Sequence, residues 1–518
     1  MSTTFDLNDD SVVVIIGSGA GGGTLSRELT QRGIKVVCLE AGPRLELGDI
    51  VNDEREMFPK LSWLDERIGV GLPPADLPIW SCKTVGGTTM HWTANCPRFR
   101  DFEFKSLSTY GAIEGANLAD WPIDLAELEP YYDKAENLLG VTGTNNIRRL
   151  PESNNFKVMQ AGGRNLGYTD IDTYNMAINS QPRDGRPACL QLGFCSSGCA
   201  INAKWTTRFN DIPKAEATDV YELRAECMAT EIVTDENGRA SAVRYIDPQG
   251  NLQEQKARVV SVAANVVETT RLLLNSANSR HPNGLANSSD QVGRNYMRHA
   301  MVQILGLMPG EVHFYKGAQC AGVIRDEIKH DPSRGFSGGF QMHTLSLGPE
   351  YLVNNINPAG WGEDYAAIME KYKNFAGLIV MGEDVPQQDN RITLHPDRKD
   401  SNGLPVPIVT YNNHPNTVAM LDYAKDVGRR LYESLGATRV FTIEKFGATH
   451  NMGVARMGDD PATSVCNEWG QTHDIDNLFV SDGSLFTTSA SANPTLTIIS
   501  LIMRQADYLS QQLAQENL

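Results

Sequence analysis

Val12-Val13-Val14-Ile15-Ile16-Gly17-Ser18-Gly19-Ala20-Gly21-Gly22 is the stretch whose reading decides the fold. A β-branched run too short for a helix favours a strand. The glycines break it, Leu25, Leu29 and Gly33 follow at helical spacing, and residues 35–39 form a second apolar run. The pattern predicts strand, helix, strand. Gly17, Gly19 and Gly22 permit a tight turn and let a pyrophosphate approach the helix N-terminus, where unpaired N–H groups attract anions. Glu40, ending the second strand, is placed to accept hydrogen bonds from ribose hydroxyls. A glycine turn serving packing alone leaves Glu40 unexplained, so the segment predicts dinucleotide binding.

Around this nucleus lie 518 residues, more than one hydrophobic core usually serves, so at least two domains are expected. Lys and Arg total 46 against 63 Asp and Glu, a net charge of −17, with no basic run. Nucleic acid and anionic membrane surfaces are therefore excluded as partners. No stretch reaches the roughly 18 apolar residues that span a bilayer. Residues 1–10 are polar and acidic, so no signal peptide is expected and any export would ride on a partner. Cys38, Cys82, Cys96, Cys227, Cys320 and Cys466 are isolated and read as reduced thiols.

Further along, residues 44–84 carry several prolines and no periodicity, and read as an excursion over the surface or a site. A capped helix is predicted between Asp120 and Gly140, a strand at 258–263 and a helix at 268–276. A strand at 478–482 precedes a helix opened by Pro494, with Leu496, Ile499, Ile502, Ala506 and Leu509 on its core face. There is no internal repeat. The expected class is α/β, a Rossmann-like nucleotide-binding domain assembled from 1–99, 200–310 and 441–518. An inserted α+β domain with an antiparallel sheet is expected from 100–199 and 311–440.

Three further segments carry chemistry. Thr84-Val85-Gly86-Gly87-Thr88-Thr89-Met90-His91-Trp92 sets paired glycines before hydroxyls, a histidine and a tryptophan, as suits backbone approaching a flat ring. Thr449-His450-Asn451-Met452-Gly453 and Ser491-Ala492-Asn493-Pro494 place a histidine and an amide near the C-terminus. A neutral imidazole suits proton abstraction near pH 7, and Asn493 suits hydrogen-bond donation or capping of the helix that follows. Cys189, Cys195 and Cys199 form a C-x5-C-x3-C pattern. It admits a zinc site, a disulfide with one free thiol, or an iron–sulfur cluster.

With VGRN at residues 292–295, these segments resemble the glucose-methanol-choline (GMC) family of flavoproteins along nearly the whole chain. The resemblance implies FAD bound by Gly17, Gly19, Gly22, Glu40, Gly86, Gly87, Thr88, His91, Trp92, Asp482, Asn493 and Thr495. It also implies His450 as catalytic base with Asn493 as its companion. Members similar at VGGTTMHW, pyranose 2-oxidase among them, link the histidine matching His91 covalently to the flavin. The cysteine loop resembles that of bacterial FAD-dependent glucose and fructose dehydrogenases, which implies a three-iron, four-sulfur (3Fe-4S) cluster at Cys189, Cys195 and Cys199. Leu190 and Ala200 depart from that loop, where the relatives carry a cysteine and a proline.

The activity implied by the resemblance is that of a dehydrogenase of sugar, glycoside or sugar-acid hydroxyls, glucoside 3-dehydrogenase first. It would act with a small companion subunit bearing an export signal and a c-type cytochrome, in the periplasm by co-export or otherwise in the cytoplasm. The rivals are a pyranose 2-oxidase-like enzyme that makes peroxide and a flavin-binding relay subunit without substrate chemistry, which retention of His450 and Asn493 disfavours.

Overall fold

The computed structural model describes residues 3–74, 77–357, 360–444, 447 and 449–518. The opening stretch folds as β1 (Val13–Ile16), α1 (Ala20–Thr30) and β2 (Val36–Leu39), both strands buried throughout. β3 (Tyr221–Arg224), β4 (Val259–Val262) and β5 (Leu478–Val480) extend them into a five-stranded sheet in the order β3-β2-β1-β4-β5. Every pairing in it is parallel. Parallel strands are joined by helices lying on the faces of the sheet, so they are buried on both sides and lose any polar alternation. That is why β1, β2 and β5 appear in sequence as short uninterrupted apolar runs, and β4 as one broken only by Ser261.

Three more helices complete this layer: α2 (Leu125–Leu139), α3 (Asn265–Asn275) and α4 (Thr495–Ala514). α2 starts after the prediction because Asp124 is its N-cap, accepting from the Glu127 N–H at 3.0 Å. It stops at Gly140, whose φ of +70° provides the left-handed turn that ends a helix. α4 is buried between α1 and α2, the core arrangement its apolar stripe requires.

The second layer is a six-stranded antiparallel sheet. Its order is Arg439–Ile443, Ala300–Leu307, Phe375–Gly382, Phe340–Thr344, Gly322–Ile324, Ile171–Thr173. Ala300–Leu307 lies within the span assigned from sequence to the nucleotide-binding domain, yet it belongs here. Its apolar run announces burial and does not name the sheet. The helix Pro415–Glu433 covers one face at close range. A Cβ on Gly306 would lie 2.6 Å from the Tyr432 ring, and one on Gly428 would lie 2.2 Å from Ile304. Strand side chains alternate, so Met301, Gln303, Ile379 and Met381 project from the opposite face, towards a cavity.

The 44–84 excursion has more structure than its sequence suggests. It holds a helix at Glu54–Lys60 and a strand at Ile68–Gly71 that pairs in parallel with Pro405–Tyr411. Phe58, Trp63 and Trp80 from it line the same cavity. Among the described residues no helix is long and apolar enough to cross a membrane.

Candidate active site

The glycine turn between β1 and α1 is held by contacts no side chain would tolerate. Gly17 has φ +98°, and a Cβ on Gly21 would fall 1.7 Å from the Ser481 carbonyl oxygen beyond β5. Gly19 and Gly87 meet backbone to backbone, a Cβ on Gly87 lying 2.8 Å from the Gly19 Cα. Ser18 joins three motif pieces at one atom. Its Oγ donates to Glu40 Oε2 at 2.6 Å and accepts from the Gly86 N–H at 3.0 Å. Glu40 also accepts from the Ser18 and Gly42 N–H groups at 3.1 and 2.9 Å. Burial pushes its carboxyl upward, and the Ser18 hydroxyl opposes the shift.

From this turn a cavity of about 580 Å³ runs to the antiparallel sheet. It is lined by Gly17, Gly19, Glu40, Gly87, Thr88, His91, Trp92, Asp482, Asn493 and Thr495, and at its far end by Met301, Met381 and His450. Two of the residues expected at the cofactor stand behind the wall. A Cβ on Gly22 would collide with the Gly17 carbonyl at 1.9 Å, so that glycine serves the turn's own packing. Gly86, with φ +100°, shapes the second turn and donates to Ser18. A narrow, backbone-lined trough ending at the start of α4 fits a dinucleotide flavin.

At the far end three histidines converge: His450, His299 just before the strand Ala300–Leu307, and His343 within Phe340–Thr344. His299 Nε2 lies 3.1 Å from the Ala490 carbonyl oxygen, which only accepts, so Nε2 carries the proton. His299 Nδ1 is then an acceptor, and His450 Nδ1, 2.9 Å away, donates to it. This leaves His450 Nε2 with a free lone pair, the state a general base needs. Burial, followed by the charges of His299 and His343, holds the His450 pKa well below 6.5, so the base is neutral at physiological pH. Burial likewise lowers His299 to about 4 and His343 to about 3.

Asn493 faces the same chamber with its Oδ1 buried and, among the described residues, unpartnered, and its Nδ2 meets Met381 Sδ at 3.5 Å. It does not cap α4; Pro494 occupies the N-cap position and no side chain caps the helix. The capping role expected of Asn493 is therefore withdrawn, and its amide is left to a ligand. Thr449 Oγ1 meets Met301 Sδ at 3.5 Å. Met301 and Met381 are paired across adjacent strands, so two neighbouring methionines bridge the His450 and Asn493 segments.

His91 is buried, with its ring centroid 4.4 Å from that of Trp80. Its Nδ1 lies 2.8 Å from the Leu61 carbonyl oxygen and must donate, which leaves Nε2 unprotonated. Burial lowers its pKa to about 4. Behind it the buried ammonium of Lys204 donates to the carbonyls of Met90, Trp92 and Cys195 at 3.0, 2.8 and 2.5 Å. Burial pulls this lysine down to about 8, while Cys195 and Cys199 favour its charge.

All nine cysteines are free. Cys189 Sγ accepts from the Gln191 N–H at 3.4 Å, and Ser196 of the cysteine loop lines the cavity. Among the described residues no group of three or more His, Cys, Asp or Glu is placed to hold a metal ion. His299, His343, Gln303 and Lys204 were not anticipated from the sequence. His299 stands four positions beyond the VGRN segment and had a local marker; the others had none.

Comparison with known proteins bears on this geometry. Models of a family described as GMC oxidoreductase match residues 21–301 and 386–501. The 2-methyl-1,2-propanediol dehydrogenase of Mycolicibacterium austroafricanum is 35% identical, the alignment covering 99% of this chain and 97% of that one. The fructose dehydrogenase large subunit of Gluconobacter japonicus is 29% identical over 97% and 98% of the two chains. The paromamine 6'-oxidase of Streptomyces fradiae is 30% identical over 98% and 93%. Among solved structures, pyridoxine 4-oxidase from Mesorbium loti superposes with a TM-score of 0.68 at 15% identity, over 97% of this chain and 99% of that one, a likeness of fold.

Proposed function

The chain belongs to the GMC oxidoreductase family, and from that premise we propose that it oxidises an alcohol or sugar hydroxyl held at His450 and Asn493. Bound FAD supplies the hydride acceptor. His450 Nε2 takes the hydroxyl proton as the C–H hydride leaves. The Asn493 amide donates to the substrate oxygen, and the start of α4 favours negative charge on the neighbouring ring. The observation that carries this reading is the His299–His450 hydrogen bond, which assigns the lone pair of the base. Stopped-flow reduction of the flavin by an alcohol tests it. His450→Ala that reduces at the wild-type rate would refute it.

Three finer readings accompany it. The free Nε2 of His91 supports a covalent bond to the flavin, and yellow colour released into the supernatant by acid precipitation would disprove the bond. Sugar oxidation of the glucoside 3-dehydrogenase kind is supported by relatives named for fructose and paromamine, and an aliphatic substrate by the relative named for a branched diol. A 3Fe-4S cluster at Cys189, Cys195 and Cys199 has the support of spacing alone. A companion subunit, a c-type cytochrome and a periplasmic site rest on the match to a protein named as a large subunit. Low-temperature EPR of the oxidised protein tests the cluster, and no catalytic step is assigned to it. The match to a protein named an oxidase supports oxygen as the acceptor; comparing turnover with oxygen and with a dye separates the two.

A further inference from the structure

We infer that the substrate is a compact, mainly aliphatic alcohol bearing one further polar group, and that Gln303, braced by Asn355, reads that group. The inference rests on the hydride-transfer reading of the His450 site and narrows it.

The cavity that His450 lines is also lined by the apolar Met301, Ile379, Met381, Leu345, Leu347 and Trp80. Three polar side chains on the cavity wall, Asn95, Gln319 and Ser346, are already satisfied within the protein. Asn95 donates to the Cys320 carbonyl and accepts from Thr93, at 2.8 and 2.6 Å. Gln319 accepts from the Ser196 N–H and donates to the Ser346 carbonyl, at 2.7 and 3.0 Å. The Ser346 hydroxyl donates to the Phe314 carbonyl at 2.7 Å. A sugar would bring several hydroxyls into this wall, and each one stripped of water without a partner costs about tenfold or more in binding.

Gln303 departs from this pattern. It is 7% exposed on the same strand face as Met301 and opposite Ile379. Its Oε1 accepts from Asn355 Nδ2 at 3.2 Å, which fixes the amide so that Nε2 is the remaining donor. That Nε2 meets no partner among the described residues. Two residues along a strand advance about 7 Å. The free donor therefore stands on the same strand face as the methionine that touches Thr449, and it lines the cavity that His450 lines.

The test is flavin reduction and dye-linked turnover of the purified holoenzyme with butanol, butanediols, glucose and methyl glucoside. Butanediols are expected to exceed both sugars in kcat/KM by about 100-fold, the cost of two unpaired hydroxyls. Gln303→Leu should lower the diol-to-butanol ratio of kcat/KM by about tenfold. Asn355→Leu, on a half-buried helix position, should move the ratio the same way and serves if the first variant misfolds. Sugars that match or outrun the diols overturn the inference while leaving His450 as base. An unchanged ratio in a folded variant overturns the role of Gln303. If no alcohol or sugar reduces the flavin, the hydride-transfer reading falls and this inference with it.

Discussion

Replacing His299 with phenylalanine isolates what the histidine pair contributes. In the resting state His450 Nδ1–H donates to His299 Nδ1. As the substrate proton arrives at Nε2, His450 becomes an imidazolium and the same bond becomes charge-assisted. Such a bond contributes about 1.5–3 kcal/mol, and at about 1.36 kcal/mol per tenfold the variant should reduce its flavin about 10- to 150-fold more slowly. His299→Asn keeps an acceptor for His450 and a donor for the Ala490 carbonyl, so it should recover much of the rate. Stopped-flow reduction over a pH series reads both effects. A phenylalanine variant with the wild-type rate would refute the tautomer argument.

His450→Ala should slow flavin reduction by about 100-fold or more, measured by stopped flow with FAD content matched to wild type. Because burial already holds His450 low, wild-type reduction should remain on its plateau below pH 6.5, and a limb centred above that value would contradict the site. Gly21→Ala drives a Cβ into the Ser481 carbonyl, so the purified protein should carry little flavin and melt at lower temperature, as absorbance and calorimetry would show. Glu383, pushed up to about 8 by burial and then by the charge of Glu103, stays protonated in the fold where an unfolded glutamate has ionised. The native state holds the extra proton between about pH 4.3 and 8, so stability falls as pH rises, by about 1.4 kcal/mol per unit from this group. Glu383→Gln should flatten urea-denaturation stability between pH 6 and 8, and an unchanged slope would contradict it.

Four of the five strands of the parallel sheet were legible as short apolar runs, while β3 at Tyr221–Arg224, with Glu222 and Arg224, carried no such run. β1, the glycine turn and β2 sit within one short segment, although Gly19 and Gly21 answer to backbone at Gly87 and Ser481 far along the chain. Ala300–Leu307 was not assignable, since its partners are 375–382 and 439–443 and an apolar strand carries no address. His450 and Asn493 were found by motif, but their electrostatic setting depends on His299 and on methionines from two strands. Asn493 misled because an amide before Pro-Thr looks like a cap, whereas α4 begins at Thr495 and the side chain turns to Met381. The cysteine spacing was equally visible and equally silent on whether three thiols face one another.

Two thioethers beside the reacting centre carry a consequence for the enzyme's lifetime. Met301 and Met381 touch the segments that hold the base and the amide. Thioether sulfur is readily converted to sulfoxide, which turns a pliant apolar group into a rigid polar one. An enzyme with this wall that reduced oxygen would generate peroxide against its own most oxidisable side chains and silence itself with use. If oxygen is the acceptor, slow self-inactivation under air that is absent with a dye acceptor is the expected outcome.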